Sequence, residues 1–387
     1  MKRYLLLAAA TAALVSSSAS AQIAVSANDG KQLRPGEAAT TRTPDSVAVL
    51  DLRSYPPKTI GMVQAPASMI GPPASVAVAR DGSFALVTGA QRLNAAGELE
   101  LNDTLSVIDL RDPKAPKLLQ TIQAGPGASG VTINRAGTLA LVASTGDDTI
   151  SIFSISAKHL TAEGKVQLPA KSRPTDVDFA PSGKTALAVT QNAGQLIGLS
   201  ITGKAVTIDG TAIKTGVQPY GVAYSPDGRF AYNTNLGGRI QPADAPKTPG
   251  PRIGTVTATD LKTQAVTTID VGQTPEHLTL SADGKYMAVV IANGSAAAPG
   301  SPGYSEFGLL KLYSVKGTTI TPLTEAHSGG WCQGAIFSSD AKTVLLQCAM
   351  PRDIEVFRFD GKTLIRDEAA TLKFDSRPGA IATATSR

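Results

Sequence analysis

The sequence holds only 3 histidines, and the stretch TPEHL (274–278) sets one of them beside a glutamate. Glu276 brings a carboxylate and His277 an imidazole, the side-chain types most used to take a proton in a transition state. Neighbours on a strand point to opposite faces, so both serve one site only if the backbone there is irregular. The other histidines are His159, in SAKHLTAEG, and His327, in EAHSGGWC. A His277, His327 and Glu276 metal set has no close-spaced ligand motif behind it, so no metal and no other cofactor is assigned.

Familiar catalytic signatures are missing. The chain has no G-x-S-x-G, H-E-x-x-H or C-x-x-C, which leaves a hydrolase serine elbow, a zincin helix and a redox thiol pair without support. Without C-x-x-C-H, no c-type haem is expected. PSGKT (181–185) ends like a phosphate-binding loop, but Asp178 stands where its leading glycine belongs.

The elements that must position Glu276 and His277 begin after an apparent leader. Lys2 and Arg3 precede an apolar run from Leu5 to Val15, and Ala19 and Ala21 follow as A-x-A. That pattern predicts a signal peptide over 1–21, cut between Ala21 and Gln22, and a mature chain 22–387 in the periplasm or secreted. No later stretch is long and apolar enough to span a bilayer. Removing Lys2 and Arg3 from 36 basic residues leaves 34 against 31 acidic ones. They are scattered, without a basic stripe, so nucleic acid is not an expected partner.

One hairpin then recurs. GVAYSPDGRFAYNTN, turning at Gly228, has relatives turning at Gly82, Gly137, Gly183, Gly284 and Ala341. Each half alternates with period two, and the intervals suit propeller blades. A third strand and a weaker fourth follow each hairpin, as in TISIFSI then GKVQLPA, GTVTATDL then AVTTIDVG, and DIEVFRF then ATLKFD. Six units are complete. The C-terminal RPGAIATATSR matches only an innermost strand, and the N-terminal IAVSANDG, DSVAVLDL and TIGMVQAP supply the other three. The predicted fold is an all-β, seven-bladed β-propeller with four antiparallel strands per blade, its closing blade made from both chain termini. An open solenoid would leave those complementary ends unexplained.

YSPDGRFAYNTN, LSADGKYMAVVIANG and INRAGTLALVASTGDDTISIFSI resemble the YVTN β-propeller repeat, and the layout is similar to the lactonase-like seven-bladed propellers. The resemblance covers nearly the whole mature chain. It implies a fold and leaves the activity open, since that group includes hydrolases, surface-layer proteins and binding proteins. In lactonase-type propellers a Pro-x-His segment opens an innermost strand at the channel mouth, a pattern that Pro275 and His277 fit.

Insertions fall between second and third strands: KQLRPGEAATTRTP (31–44), AQRLNAAGELELND (90–103), LGGRIQPADAPKTPGPRI (236–253) and GSAAAPGSPGYSEF (294–307). All belong to one rim, as functional loops on a rigid scaffold do. The innermost strands open onto the same rim. Aligned on Val76, Val131, Val177, Val222, Leu278, Ala335 and Ile381, the ring two places earlier includes Thr175, Tyr220, Glu276 and Gln333. The ring one place earlier includes Asp176 and His277, and Arg173, Trp331 and Arg377 stand further out.

Two functions follow from this mouth. One is a periplasmic propeller presenting the inserted-loop rim to a small-molecule ligand or a protein partner through Asp176, Tyr220, Trp331, Gln333, Arg377 and His327. The alternative is a metal-independent lactone or ester hydrolase. There Glu276 or His277 is the general base, and Arg173 or Arg377 steadies the oxyanion.

Cys332 and Cys348 flank the SSDAK turn. Counting outward with Phe337 facing Thr343 sets the two cysteines opposite each other, so a disulfide is expected in an oxidising compartment.

Overall fold

The recurring hairpins form because their turns satisfy themselves. In SPDG, Ser225 Oγ donates to Asp227 Oδ1 at 2.6 Å and accepts from Phe230 N at 2.9 Å. Gly228 takes the left-handed φ of 70° that the reversal requires. Ser281 with Asp283 and Ser338 with Asp340 repeat the arrangement. Ala341 holds the glycine position at φ 58°.

The computed structural model describes residues 22–34, 37–69, 71–238 and 253–384. The expected leader and most of the 236–253 insertion lie outside them. The strands Val76–Val78, Ala128–Ile133, Pro174–Phe179, Pro219–Tyr224, Pro275–Leu280 and Cys332–Phe337 each lead an antiparallel sheet running outward in chain order. These are blades 1 to 6. Blade 7 runs Arg377–Thr383, Ile23–Asp29, Ser46–Asp51, Lys58–Gln64, so both ends of the chain share one sheet as the sequence predicts.

Two local departures have identifiable causes. The 90–103 insertion continues the sheet as a hairpin, with Leu93 paired to Leu99 and the Arg92–Glu100 ion pair on it. Blade 6 has a broken outer edge. Leu364–Arg366 and Leu372–Lys373 pair separately with Asp353–Phe359, around the turn Glu368–Ala370. The break falls where Arg366 pairs with the buried Glu355 and with Glu368.

The described residues form seven apolar clusters, each between consecutive blades. Leu141, Ile150 and Ile152 of blade 2 meet Val177, Ala188 and Leu199 of blade 3, and Val25, Val47 and Val49 of blade 7 meet Val76, Val87 and Ile108 of blade 1. Inner strands are buried on both faces and so read as apolar runs, whereas an outer strand such as Lys117–Gln123 is largely exposed.

Cys332 and Cys348 are paired and disulfide-bonded. The register is one residue off the expectation, with Phe337 facing Val344. A shift between Cys332 and Ala335 then restores the cysteine pairing. Breaking this bridge by Cys348→Ser should cost about 2–3 kcal/mol, the loop-closure value for a loop of this length. Denaturant midpoints measured without reductant test this, and a variant as stable as the parent would refute it.

Candidate functional site

The mouth of the channel is built by one backbone device repeated around the ring. Blades 2 to 6 each shift register where the innermost strand opens, at Ala128/Val131, Pro174/Asp176, Pro219/Val222, Pro275/His277 and Cys332/Ala335. Bulges of this kind re-aim side chains. Here they place Thr175 and Glu276 outside the regular pairing, so Glu276 and His277 do not follow simple alternation. Immediately before each bulged strand, or at its start, a residue adopts a left-handed φ: Gly127, Arg173, Gln218, Thr274 and Trp331. Their carbonyls accept from the residue just past the second strand, as Ala292 N does to Thr274 O at 2.9 Å.

Blade-to-blade hydrogen bonds lock this ring. Ser129 Oγ donates to Thr175 O at 2.7 Å and Thr175 Oγ1 to Tyr220 O at 2.9 Å. Asp176, fully buried, accepts from Val222 N of the next blade at 3.0 Å. His277, also buried, accepts from Ala335 N through Nδ1 at 3.3 Å. Small residues alternate with these groups for steric reasons. A Cβ added to Gly130 would lie 2.3 Å from the Asp176 carboxylate, too close for any side chain. The space beside His277 is only about 10 Å³ and is bordered by Pro73, from the connection between blades 7 and 1. That is room for at most one water.

Arg173, Tyr220 and Glu276 form a more open group on blades 3 to 5. Among the described residues, no side chain hydrogen-bonds or ion-pairs with the Arg173 guanidinium or the Glu276 carboxyl. Burial raises the Glu276 pKa to about 7. Burial also raises the Tyr220 phenol, with Glu276 and then Asp176 adding to the effect and Arg173 opposing it. These three charges therefore all act on the Tyr220 phenol.

Trp331, Gln333 and Arg377 gather in a second sector. With its amide turned to donate to Gly379 O at 3.1 Å, Gln333 accepts from Trp331 Nε1 at 3.1 Å. Arg377 is 3% exposed and donates to Ala349 O at 2.8 Å, Met350 O at 3.2 Å and Gln32 O at 3.0 Å. It also pairs with Glu37. Burial works against the Glu37 charge, but the Arg34 backbone, Arg377 and the Arg34 side chain hold its pKa at about 2. Arg377 thus fastens the 31–44 insertion to the mouth. The result is a groove of about 440 Å³ lined by Gln32, Leu33, Arg34, Ala296, Trp331, Met350 and Arg377. The Gln32 side-chain oxygen is buried there without a hydrogen-bond partner.

His327 lies elsewhere. It stands on the outer strand of blade 5 and stacks on Phe307, ring centroids 3.7 Å apart. His159 is exposed at the start of the outer strand of blade 2. Among the described residues, the one cluster of three metal-ligand types is Cys332, Cys348 and Glu355, and its two sulfurs are bonded to each other. Sequence reasoning missed Gln32, Arg34, Glu37 and Pro73. The opposed charges of RPGE inside an inserted loop were the available signal.

No family model matches the chain, and no curated protein matches it in sequence. Solved structures do match in fold. A proposed 6-phosphogluconolactonase from Bacteroides fragilis aligns at TM-score 0.68 and 18% identity, over 95% of this chain and 99% of that one. The Pseudomonas aeruginosa periplasmic gluconolactonase aligns at TM-score 0.66 and 13% identity, over 95% and 99%. Hydrazine synthase from Kuenenia stuttgartiensis aligns at 0.61 and 18%, over 81% and 90%. At these identities the likeness concerns the fold, a seven-bladed propeller of the layout that lactonase-like proteins share.

The raised Glu276 pKa has a stability consequence. A carboxyl that ionises less readily folded than unfolded favours folding in its protonated form, and that contribution is lost as pH rises from about 4.5 through about 7. Glu276→Gln should therefore raise the melting temperature at pH 8 relative to the parent, and raise it less at pH 4.5. A pH-independent difference would contradict this.

Proposed function

We propose that this chain is an exported propeller, with residues 1–21 as its leader, that captures a small ligand or a periplasmic protein segment on the loop-bearing rim. The groove between the 31–44 insertion and blades 5 and 6 carries this reading. It combines the face of Trp331, the exposed cation of Arg34 and the unpartnered Gln32 oxygen, a set suited to a small anion with a flat or ring-shaped body. A disulfide fits an oxidising compartment. Trp331 is the single tryptophan of the chain, so binding can be read directly from its emission. Titration with aldonic acids and their lactones should give a saturable change in that emission. Arg34→Ala should weaken it about tenfold, the scale of one charge-assisted hydrogen bond. Emission unaffected by every member of the panel would count against the groove.

A second reading is favoured by Glu276. A carboxyl with a pKa of about 7, close enough to Tyr220 to act on its phenol as Arg173 also does, is poised as a general base for water attacking a lactone or ester carbonyl. Arg173 would steady the oxyanion. The His277 Nδ1 lone pair already receives Ala335 N, so the base in this mechanism is Glu276. Hydrolysis of glucono-1,5-lactone should then rise with pH through about 7 and be unaffected by chelator. It should fall about 10²–10⁴-fold in Glu276→Gln. Turnover that survives this substitution would exclude the mechanism, and the absence of turnover in the parent would leave the binding function alone.

A further inference from the structure

The turn between the first and second strands places one residue of each blade at the rim opposite the insertions. Reading the aligned turns in order gives Arg80, Arg135, Pro181, Pro226, Ala282 and Ser339 for blades 1 to 6. The ring is therefore divided, with two cations on adjacent blades and apolar residues on the next three. The structure shows what this division encloses. A cavity of about 420 Å³ opens on that rim at the far end of the channel, and Arg80 and Arg135 border it on one side. Phe179, Pro181, Pro226, Leu280 and Ala282 border it on the other.

Both arginines are exposed, and neither guanidinium hydrogen-bonds or ion-pairs with any described residue. Other arginines of the described residues, among them Arg34, Arg53, Arg92, Arg111, Arg366 and Arg377, hold carboxylates. The one acidic residue of the lining, Asp178, is buried and accepts from Thr132 Oγ1 at 3.0 Å. It lies on the innermost strand and not on the turn, so it discourages an anion at the floor while leaving the arginine level open to one. The volume falls in the range that holds small organic molecules.

From this juxtaposition we propose a second binding site at the plain-turn opening, specific for a small organic anion. A phosphate or carboxylate bridges Arg80 and Arg135, and an apolar ring lies against Pro181, Pro226 and Ala282. Guanidinium groups suit both anions because their forked donors match paired oxygens. The apolar half supplies the preference for an anion that carries a ring over a bare ion. This site is independent of any ligand on the loop-bearing rim.

Calorimetric titration of the full mature chain with phenyl phosphate, benzoate, inorganic phosphate and benzyl alcohol tests the proposal. Phenyl phosphate and benzoate should bind saturably, inorganic phosphate at least tenfold more weakly, and benzyl alcohol not measurably. Arg80→Gln and Arg135→Gln should each weaken phenyl phosphate about tenfold, as loss of a charge-assisted hydrogen bond does, and the double variant should abolish binding. Ala282→Trp, on an exposed turn where folding is insensitive to side-chain size, should weaken phenyl phosphate but leave inorganic phosphate unchanged. With the groove beside Trp331 weakened by Arg34→Ala in every protein compared, Arg92→Gln, on the opposite rim and outside that groove, should change nothing. The proposal is overturned if no probe binds the parent at millimolar concentration, if the double arginine variant binds normally with an intact unfolding transition, or if binding is lost in Arg92→Gln.

Discussion

A four-stranded blade with two apolar faces cannot bury both by itself, and every other feature of this molecule depends on that constraint. The faces are covered only if each blade is packed between two others, and a linear array always leaves two faces open. Closure is therefore the condition for burying Val25, Val47 and Val49 on one side of blade 7 and Ala24, Leu50 and Ile381 on the other. Because blade 7 takes its innermost strand from the C-terminus and the rest from the N-terminus, the apolar ring and the chain are closed by the same sheet. Buried polar groups reinforce the joint. Gln347 of blade 6 donates to Ser26 Oγ at 2.7 Å and to Ala380 O at 2.9 Å, so it holds both termini at once.

Once the ring is closed, its axis becomes crowded. Side chains at the mouth converge, and the crowding divides them into two groups. Asp176 and His277 are buried and joined to the backbone of the following blade, with Gly130 giving Asp176 room. Arg173, Tyr220 and Glu276, displaced by the bulges or set before them, are less fully covered than these two. One repeated irregularity therefore makes both the rigid collar of the mouth and the displaced residues beside it. The inserted loops then add a feature that the repeat lacks, because Arg377 anchors the 31–44 segment and so creates the groove beside Trp331.

Ion pairs occur on both rims, Lys285 with Asp283 on the plain-turn side among them. On the insertion side, cations are mostly paired: Arg377 with Glu37, Arg34 with Glu37, and Lys31 with Asp29 and Asp45. On the plain-turn side, Arg80 and Arg135 remain unpaired above an apolar wall. Long loops are therefore not the only means by which a propeller differentiates its openings. A single position in an otherwise uniform turn suffices when neighbouring blades share the cation.

The sequence by itself determined the architecture. Period-two alternation, Asp-Gly turns at blade-length intervals and complementary chain ends such as RPGAIATATSR and IAVSANDG are local signals, and each depends only on neighbouring residues. It also brought Cys332 and Cys348 together, although its register near the turn was one residue out, because a bulge makes no mark in an alternating pattern. Which mouth residues lock the blades and which stay open was decided by the tertiary structure alone. His277 and Glu276 are adjacent in the chain, yet one meets the backbone of the next blade and the other is set outside the regular pairing. Their difference arises from interactions between residues some sixty positions apart on adjacent blades, a hydrogen bond from Ala335 to His277 and the charge of Glu276 acting on Tyr220. The groove at Trp331 and the cavity at Arg80 and Arg135 have the same origin, since each is bounded by segments that meet only when all seven blades are in place.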